Sequence, residues 1–380
     1  MKTKEDLLEL LNYTKSIIYG EKSFPFTIQQ LNYYCNSNNK ARYTVFKVKK
    51  KSGGERIIHA PKMGLKRIQE CLKMILETFD AIKPQATGFV KGKSIVDNAQ
   101  IHNGYKFVFN TDLKDFFPSI DQARIWKRLQ VPPFKLNEES ERVILANIIA
   151  GLCCEKMEVE RLDKVGKWTK VVASVLPQGA PTSPIISNII CSNLDYKLLF
   201  MAKRFGLNYS RYADDITFSG DKDVFFKHKG NFMKELNRNI KDERFNINPE
   251  KTRLQKSQYR QEVTGLIVND HVNIPKRYIK QLRMWLYYWE TYGYERMSSY
   301  FKPAYIKDKA HILKGDSPDF QSIIRGKLNY IKMVKGHDDA CYNKLAERLK
   351  QLIAPDDYFS FLLDTWEKKG LNKTMEQFYS

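Results

Sequence analysis

The stretch "YSRYADDITF", residues 209–218, restricts the fold of this 380-residue chain more than any other. Its two ends read as β-strand, yet Asp214 and Asp215 sit side by side between them. Aspartate is a poor strand residue, and adjacent carboxylates repel each other. The pair therefore belongs at the turn of a hairpin covering about residues 207–219. A further acid, Asp112, falls late in an apolar strand, "FVFNTDL" (107–113). Taken alone, either site reads as a solvated turn residue or cap. If the two strands are neighbours, three carboxylates converge at one edge of a sheet. Carboxylates that close cannot all stay ionised without cations. Mg²⁺ relieves the conflict, because it takes oxygen ligands and keeps positions open for water and phosphate. Two such ions about 4 Å apart activate an attacking hydroxyl and steady the leaving oxygen of a phosphoryl displacement.

The rest of the chain supplies a mixed framework. Residues 5–19 and 28–42 read as helices, with Thr27 as N-cap of the second. Residues 43–61 change period around a Gly-Gly turn and predict a hairpin with a basic tip. Leu65, Ile68, Leu72 and Ile75 give 65–79 one apolar helical side. Helical segments are expected over 121–155 and 224–242, and a long helix after Pro184. A short strand precedes the "LPQGAP" loop, and residues 262–274 read as another hairpin. From Pro275 onward the character is helical, basic and aromatic. The order does not alternate βαβα, so the class is α+β rather than doubly wound.

Charge narrows the partner. Lys and Arg exceed Asp and Glu by 21, which argues for a polyanion, either nucleic acid or an anionic membrane surface. No apolar run reaches spanning length, and the first residues lack a signal-peptide core, so no membrane partner is expected. Abundant aromatics among the basic residues suit the holding of single strands and exposed bases. The six cysteines show no C-x-x-C spacing, which predicts reduced thiols and a cytoplasmic protein.

With these residues in view, the sequence resembles reverse transcriptases. "FNTDLKDFFPSI" (109–120) is similar to the first palm motif, "LPQGAPTSPIISN" (176–188) to the next, and "YADD" (212–215) to the Y-x-D-D box. The resemblance implies a right-hand polymerase fold with fingers, an antiparallel-sheet palm and a helical thumb. N-terminal helices and fingers would occupy 1–106, the palm 107–274 with a finger insertion at about 121–172, and the thumb and RNA-recognition region 275–380. It implies that Asp112 and Asp214 bind two catalytic Mg²⁺ ions, helped by the Leu113 carbonyl, with Asp215 as the supporting acid. Phe117 matches an aromatic gate against the ribose 2′-hydroxyl, hence a preference for dNTPs. The amides of Asp115 and Phe116 would cradle the triphosphate. Gln178 and Gly179 would lie against the incoming nucleotide and template base. Arg56 would reach the dNTP phosphates, with one of Lys49, Lys50 or Lys51 beside it. Lys251, in "NINPEKT", matches a general acid for the leaving pyrophosphate, against the plainer reading of a solvated lysine at a helix start.

Two short stretches resemble the bacterial retron type in particular. "DNAQIHNG" holds Asn98, Ala99 and His102 in an N-A-x-x-H pattern, and Val263, Thr264 and Gly265 form a V-T-G after the palm. The family pattern gives these residues a part in structure and RNA contact. Retron enzymes copy a cognate structured noncoding RNA, msr-msd, primed from a guanosine 2′-hydroxyl, into branched msDNA. They act in anti-phage defence with an accessory effector protein. No ribonuclease H acid set follows residue 275, and "HDD" (337–339) reads as surface. Other bacterial reverse transcriptases (group II maturase-like, diversity-generating or abortive-infection types) and a catalytically inactive RNA-binding scaffold are the alternatives. A dead scaffold has no need to keep mutually repelling acids.

Overall fold

The computed structural model describes residues 2–36, 38–49, 54–79, 82–137, 140–162, 165–226, 230–309, 319–353, 361–363, 365–368 and 370–379. It divides into two units, residues 1–271 and 272–380.

The first unit opens with two capped helices. Thr3 and Asp6 close a capping box on α1 (Lys4–Tyr19), and Thr27 and Gln30 do the same on α2 (Ile28–Cys35). The expected 28–42 helix stops at Cys35. A 3₁₀ turn follows at Lys40–Arg42, where the buried Arg42 donates to the carbonyls of Gly151 (2.9 Å) and Cys154 (2.7 Å). β1 (Tyr43–Lys49) and β2 (Glu55–Pro61) form the predicted hairpin, and Lys50 and Lys51 at its tip lie outside the described residues. α3 (Met63–Glu77) buries Leu65, Ile68, Leu72 and Leu76. The capping box of Ser94 and Asp97 starts α4 (Ile95–Gln100).

β3 (Phe107–Leu113) is the predicted apolar strand. After it the expected 121–155 helical run is two helices, α5 (Gln122–Leu129) and α6 (Ser140–Cys153). A hairpin of β4 (Glu155–Leu162) and β5 (Trp168–Val175) follows, of which only the end of β5 was foreseen. α7 (Ser183–Phe205) carries Pro184 in its first turn, where the missing N–H costs nothing. It ends at Gly206, which takes the left-handed cap conformation at φ 69°. The opening hairpin is β6 (Asn208–Tyr212) and β7 (Asp215–Gly220). α8 (Asn231–Asp242) is shorter at its start than 224–242.

β8 (Ile247–Lys256) is a strand where the sequence suggested a helix start. Its charged residues conceal it, because it is the edge of the sheet and half its side chains face water. The 262–274 hairpin shrinks to β9 (Glu262–Val263) and β10 (Leu266–Ile267).

The palm-like sheet is antiparallel, in the order β6-β7-β3-β8. One face is aromatic. Phe109 stacks on Phe225 at 5.2 Å and meets Phe232 of α8 edge-on at 5.5 Å. Phe218 also meets Phe232 edge-on, at 5.2 Å. Residues paired in register share a face, so Asn110 with Thr217 and Asp112 with Asp215 lie on the opposite, polar face. Burial of the aromatic face fixes the register, and the register fixes where the acids stand.

In the second unit, α9 (Lys276–Tyr292) buries Leu282, Trp285, Leu286 and Trp289 and leaves Lys276, Arg277, Lys280 and Arg283 exposed. α10 (Tyr294–Lys309), α11 (Phe320–Lys335), α12 (Ala340–Leu352) and α13 (Leu371–Tyr379) follow. His337 and Asp338 are exposed, and Asp339 caps α12. No described helix is long and apolar enough to cross a membrane.

Candidate active site

Asp112 and Asp215 stand directly opposite each other on β3 and β7. The Leu113 amide donates to the Asp214 carbonyl at 3.0 Å, which locks the end of β3 to the β6–β7 turn. Ala213 and Asp214 form that turn, with Ala213 in the left-handed region at φ 57°. A residue other than glycine is strained there. The buried Arg211 holds it in place, donating to the Ala213 carbonyl at 3.0 Å and to Asn188 Oδ1 at 3.1 Å. Asp195 of α7 accepts from the same guanidinium at two points, and from the Tyr209 hydroxyl at 2.7 Å. Sequence reading missed this clamp. Its signal was an aspartate within the apolar run of a long helix, where a buried carboxylate needs a partner.

β8 brings the fourth charge. Pro249 cannot donate to the ladder, and the β3–β8 pairing shifts between Asn110 and Asp112. The resulting bulge puts Lys251 Nζ 2.9 Å from Asp112 Oδ1 and Asn248 Nδ2 3.4 Å from Oδ2. Thr252 closes the bulge onto the Asn248 carbonyl at 2.9 Å.

The carboxyls are electrostatically crowded. Burial raises the Asp214 pKa, and the neighbouring Asp112 raises it further. Asp215 keeps an exposed surface, yet desolvation by the packed atoms around it, then Asp214, then Asp112 push its pKa up to about 7. Burial works against the Lys251 ammonium, but its bond to Asp112 and the charges of the three acids outweigh this and hold its pKa above the ordinary value.

These residues fit a divalent cation of the hard, oxygen-seeking kind. Among the described residues no group of three or more His, Cys, Asp or Glu side chains is arranged to hold a metal ion. Asp112, Asp214 and Asp215 nonetheless offer oxygen donors alone, which is the ligand chemistry of a hard divalent cation.

The residues expected on the nucleotide side come next. Asp115 adopts φ 47°, and among the described residues the amides of Asp115 and Phe116 have no hydrogen-bond acceptor. Phe117 is half-buried, 5.3 Å from Phe116. The Gln178 carbonyl accepts from the His59 amide at 2.8 Å, joining the loop to β2. Gly179 is required there, because a Cβ would lie 2.7 Å from the His59 carbonyl. Arg56 and Lys49 are exposed on the β1–β2 hairpin, and among the described residues no hydrogen bond or ion pair ties either to the acids.

The two signatures lie beside each other, behind the hairpin that carries Asp214. Asn98, Ala99, His102 and Val263 are buried. His102 bridges Ser219 Oγ (2.8 Å) and Ser210 Oγ (2.7 Å), the two strands of the hairpin that carries Asp214. Ser210 and Thr87 both donate to Asn98 Oδ1 at 2.7 Å. With the Ser210 proton spent there, His102 donates through Nε2, accepts through Nδ1, and is neutral. Burial drives its pKa down to about 3. Thr264 and Gly265 form the β9–β10 turn at φ 48° and 82°, and the Thr264 hydroxyl donates to the Ile95 carbonyl of α4 at 3.3 Å. Thr264 is half-buried and Gly265 exposed, so of the six signature residues these two retain access to a partner.

A four-stranded antiparallel sheet, helix-backed on one face and carrying facing acids at a hairpin turn on the other, defines the polymerase-palm class of fold. The chain belongs to the reverse transcriptase (RNA-dependent DNA polymerase) family, whose model matches residues 48–268. Its relatives place it among the bacterial retron reverse transcriptases. It is 38% identical over 245 residues to the retron Mx65 reverse transcriptase of Myxococcus xanthus, covering 64% of this chain and 55% of the relative. It is 35% identical to the Mx162 enzyme of the same organism (63% and 51%) and 31% to the Ec86 enzyme of Escherichia coli (64% and 68%). The chain thus spans just over half the length of the two Myxococcus relatives. Among solved structures, telomerase from Candida albicans with an RNA fragment is similar at TM-score 0.42 and 14% identity, over 82% of this chain and 63% of that one.

Proposed function

We propose that this chain is an RNA-directed DNA polymerase of the retron type. It would copy a cognate structured RNA, msr-msd, into branched msDNA, primed from a guanosine 2′-hydroxyl. The observation that carries the reading is the in-register pairing of Asp112 with Asp215, with Asp214 at the adjoining turn and Lys251 on Asp112. Asp112, the Leu113 carbonyl and Asp214 would hold two Mg²⁺ ions, with Asp215 in support. Bound there, the ions would supply activation of the attacking hydroxyl and charge stabilisation at the leaving pyrophosphate. Lys251 would give that group its proton, and its bond to Asp112 supports that reading. The amides of Asp115 and Phe116 bind the triphosphate, and Phe117 excludes the ribose 2′-hydroxyl. Fingers over 1–106, palm over 107–274 and thumb over 275–380 complete the assignment, with the basic side of α9 on the duplex and RNA. A-form duplex is read by backbone and shape, which a basic helix face suits. Cytoplasmic action with an effector protein in anti-phage defence belongs to the same proposal.

The test is purification from cells carrying the native locus. Wild type should copurify with a species containing both DNA and RNA that shifts on RNase treatment. Asp214→Asn with Asp215→Asn should abolish the DNA and leave RNA binding. DNA surviving in that variant overturns the metal assignment. RNA without DNA in wild type leaves an inactive scaffold.

A further inference from the structure

Residues 86–89, "ATGF", lie outside the named strands, yet they are strapped to the back of the turn that carries Asp214. The Thr87 amide donates to the Arg211 carbonyl at 2.9 Å, and the Arg211 amide donates to the Gln85 carbonyl at 3.0 Å. Asn188 Nδ2 donates to the Gly88 carbonyl at 2.9 Å. A Cβ on Gly88 would sit 2.5 Å from the Ala213 nitrogen, so only glycine permits this approach.

Phe89 follows at φ 61°, a left-handed conformation that is costly for a bulky side chain. The strain has a visible result. It turns the ring out of the core and sets it 6.1 Å from Phe117 and 6.5 Å from Tyr212. The ring is 43% exposed, whereas the packing phenylalanines Phe109 and Phe218 are 0% exposed. Phe89 is thus held on the surface between the first palm motif and the Y-x-D-D box, where burial of its own area does not account for it.

We propose that Phe89 is a positioning residue that determines sugar specificity by backing Phe117. A steric gate excludes one extra oxygen only if its wall cannot yield. Phe117 leans on Phe116 from one side and on Phe89 from another. Removing the Phe89 ring frees Phe117 to turn and make room for a 2′-hydroxyl. Phe89 need not touch the reacting atoms. The inference rests on the reading of Phe117 as the gate.

The experiment compares kcat/KM for a dNTP and its ribonucleotide on a primed RNA template, using the full chain with Mg²⁺. Phe117→Ala should lower the dNTP-to-rNTP ratio by about 100-fold and Phe89→Ala by about 10-fold, the scale of discrimination a hydrophobic pocket gives. Phe89→Leu, which keeps apolar volume without a flat ring, should match Phe89→Ala and covers a failure of that variant to fold. Phe89→Tyr should keep the wild-type ratio. The fall should come from a lower ribonucleotide KM, with kcat for the dNTP changed little, a split that general loss of structure would not give. If Phe117→Ala lowers the ratio and both Phe89→Ala and Phe89→Leu leave it unchanged, the proposal is overturned. If Phe117→Ala itself leaves the ratio unchanged, the gate reading falls and this proposal falls with it.

Discussion

Asp195 grips Arg211 at two points, Oδ1 to Nε at 2.7 Å and Oδ2 to Nη2 at 2.8 Å, and neither side chain is exposed to solvent. The same guanidinium holds the strained turn at Ala213, so the pair joins the long helix to the acid site. Asp195→Asn leaves a buried cation without its counter-charge and should cost about 3–5 kcal/mol of stability. Replacing both partners (Asp195→Leu with Arg211→Met) should recover most of that loss, because a well-packed apolar pair avoids the desolvation cost. The double variant should still polymerise poorly, since nothing holds the Ala213 carbonyl. Urea denaturation and primer extension on the same preparations check both halves. A fully active double variant would reduce the pair to packing.

Lys251 touches Asp112 and is otherwise largely open to solvent. If it donates the proton to the leaving group, Lys251→Ala should lower kcat by about 10²-fold, the lower end of general acid catalysis. KM for the dNTP should change little, and Lys251→Arg should retain part of the rate. Single-turnover incorporation separates this chemical step from product release. An unchanged rate in Lys251→Ala would leave the lysine only as the partner of Asp112.

The strand–turn–strand around Asp214 and the apolar strand ending near Asp112 were legible because burial and charge conflict there in sequence. Adjacent acids between strand residues admit few placements. β8 was not legible, since an edge strand with one wet face carries Glu250, Lys251 and Arg253 and looks like any polar segment. The buried His102 block was half legible. The sequence pointed to the two signatures, but Asn98 and His102 are tied to the hairpin through Ser210, and the V-T-G turn to α4 through the Ile95 carbonyl, pairings that no spacing rule connects. The Asp195–Arg211 clamp depends on tertiary pairing and shows in sequence only as an acid among buried helix residues.

Gly179 sits at φ 123° with a Cβ position 2.7 Å from the His59 carbonyl and 2.9 Å from Ile58 Cγ2. Gly179→Ala must strain the backbone or push the loop off β2. The expected loss is about 1–3 kcal/mol, and, if Gln178 lies against the nucleotide as proposed, a rise in KM for the dNTP as it moves with the loop. Calorimetry and steady-state kinetics measure the two effects. A normal Tm with a normal KM would show that the loop tolerates separation from the hairpin.

His102 makes the fold sensitive to acid. Its folded pKa is depressed to about 3 by burial, against 6.5 for a free imidazole. A depressed pKa means that the unfolded chain binds the proton first, so stability is fully present above pH 6.5 and declines as pH falls toward 3. Between pH 6.5 and 5 the loss from this one residue should be about 2 kcal/mol. Ser210 and Ser219 are neutral partners and offer the imidazolium no compensating charge. His102→Gln should be less stable at pH 7.5, where it loses shaped hydrogen bonds, yet its stability should fall less between pH 6.5 and 5. Subtracting the two urea-denaturation series removes the contributions of Asp214, Asp215 and Glu155, whose raised pKa values act in the opposite direction. Parallel pH dependence in wild type and variant would mean that His102 is protonated at little cost, and that a conformational opening admits water to the block it seals.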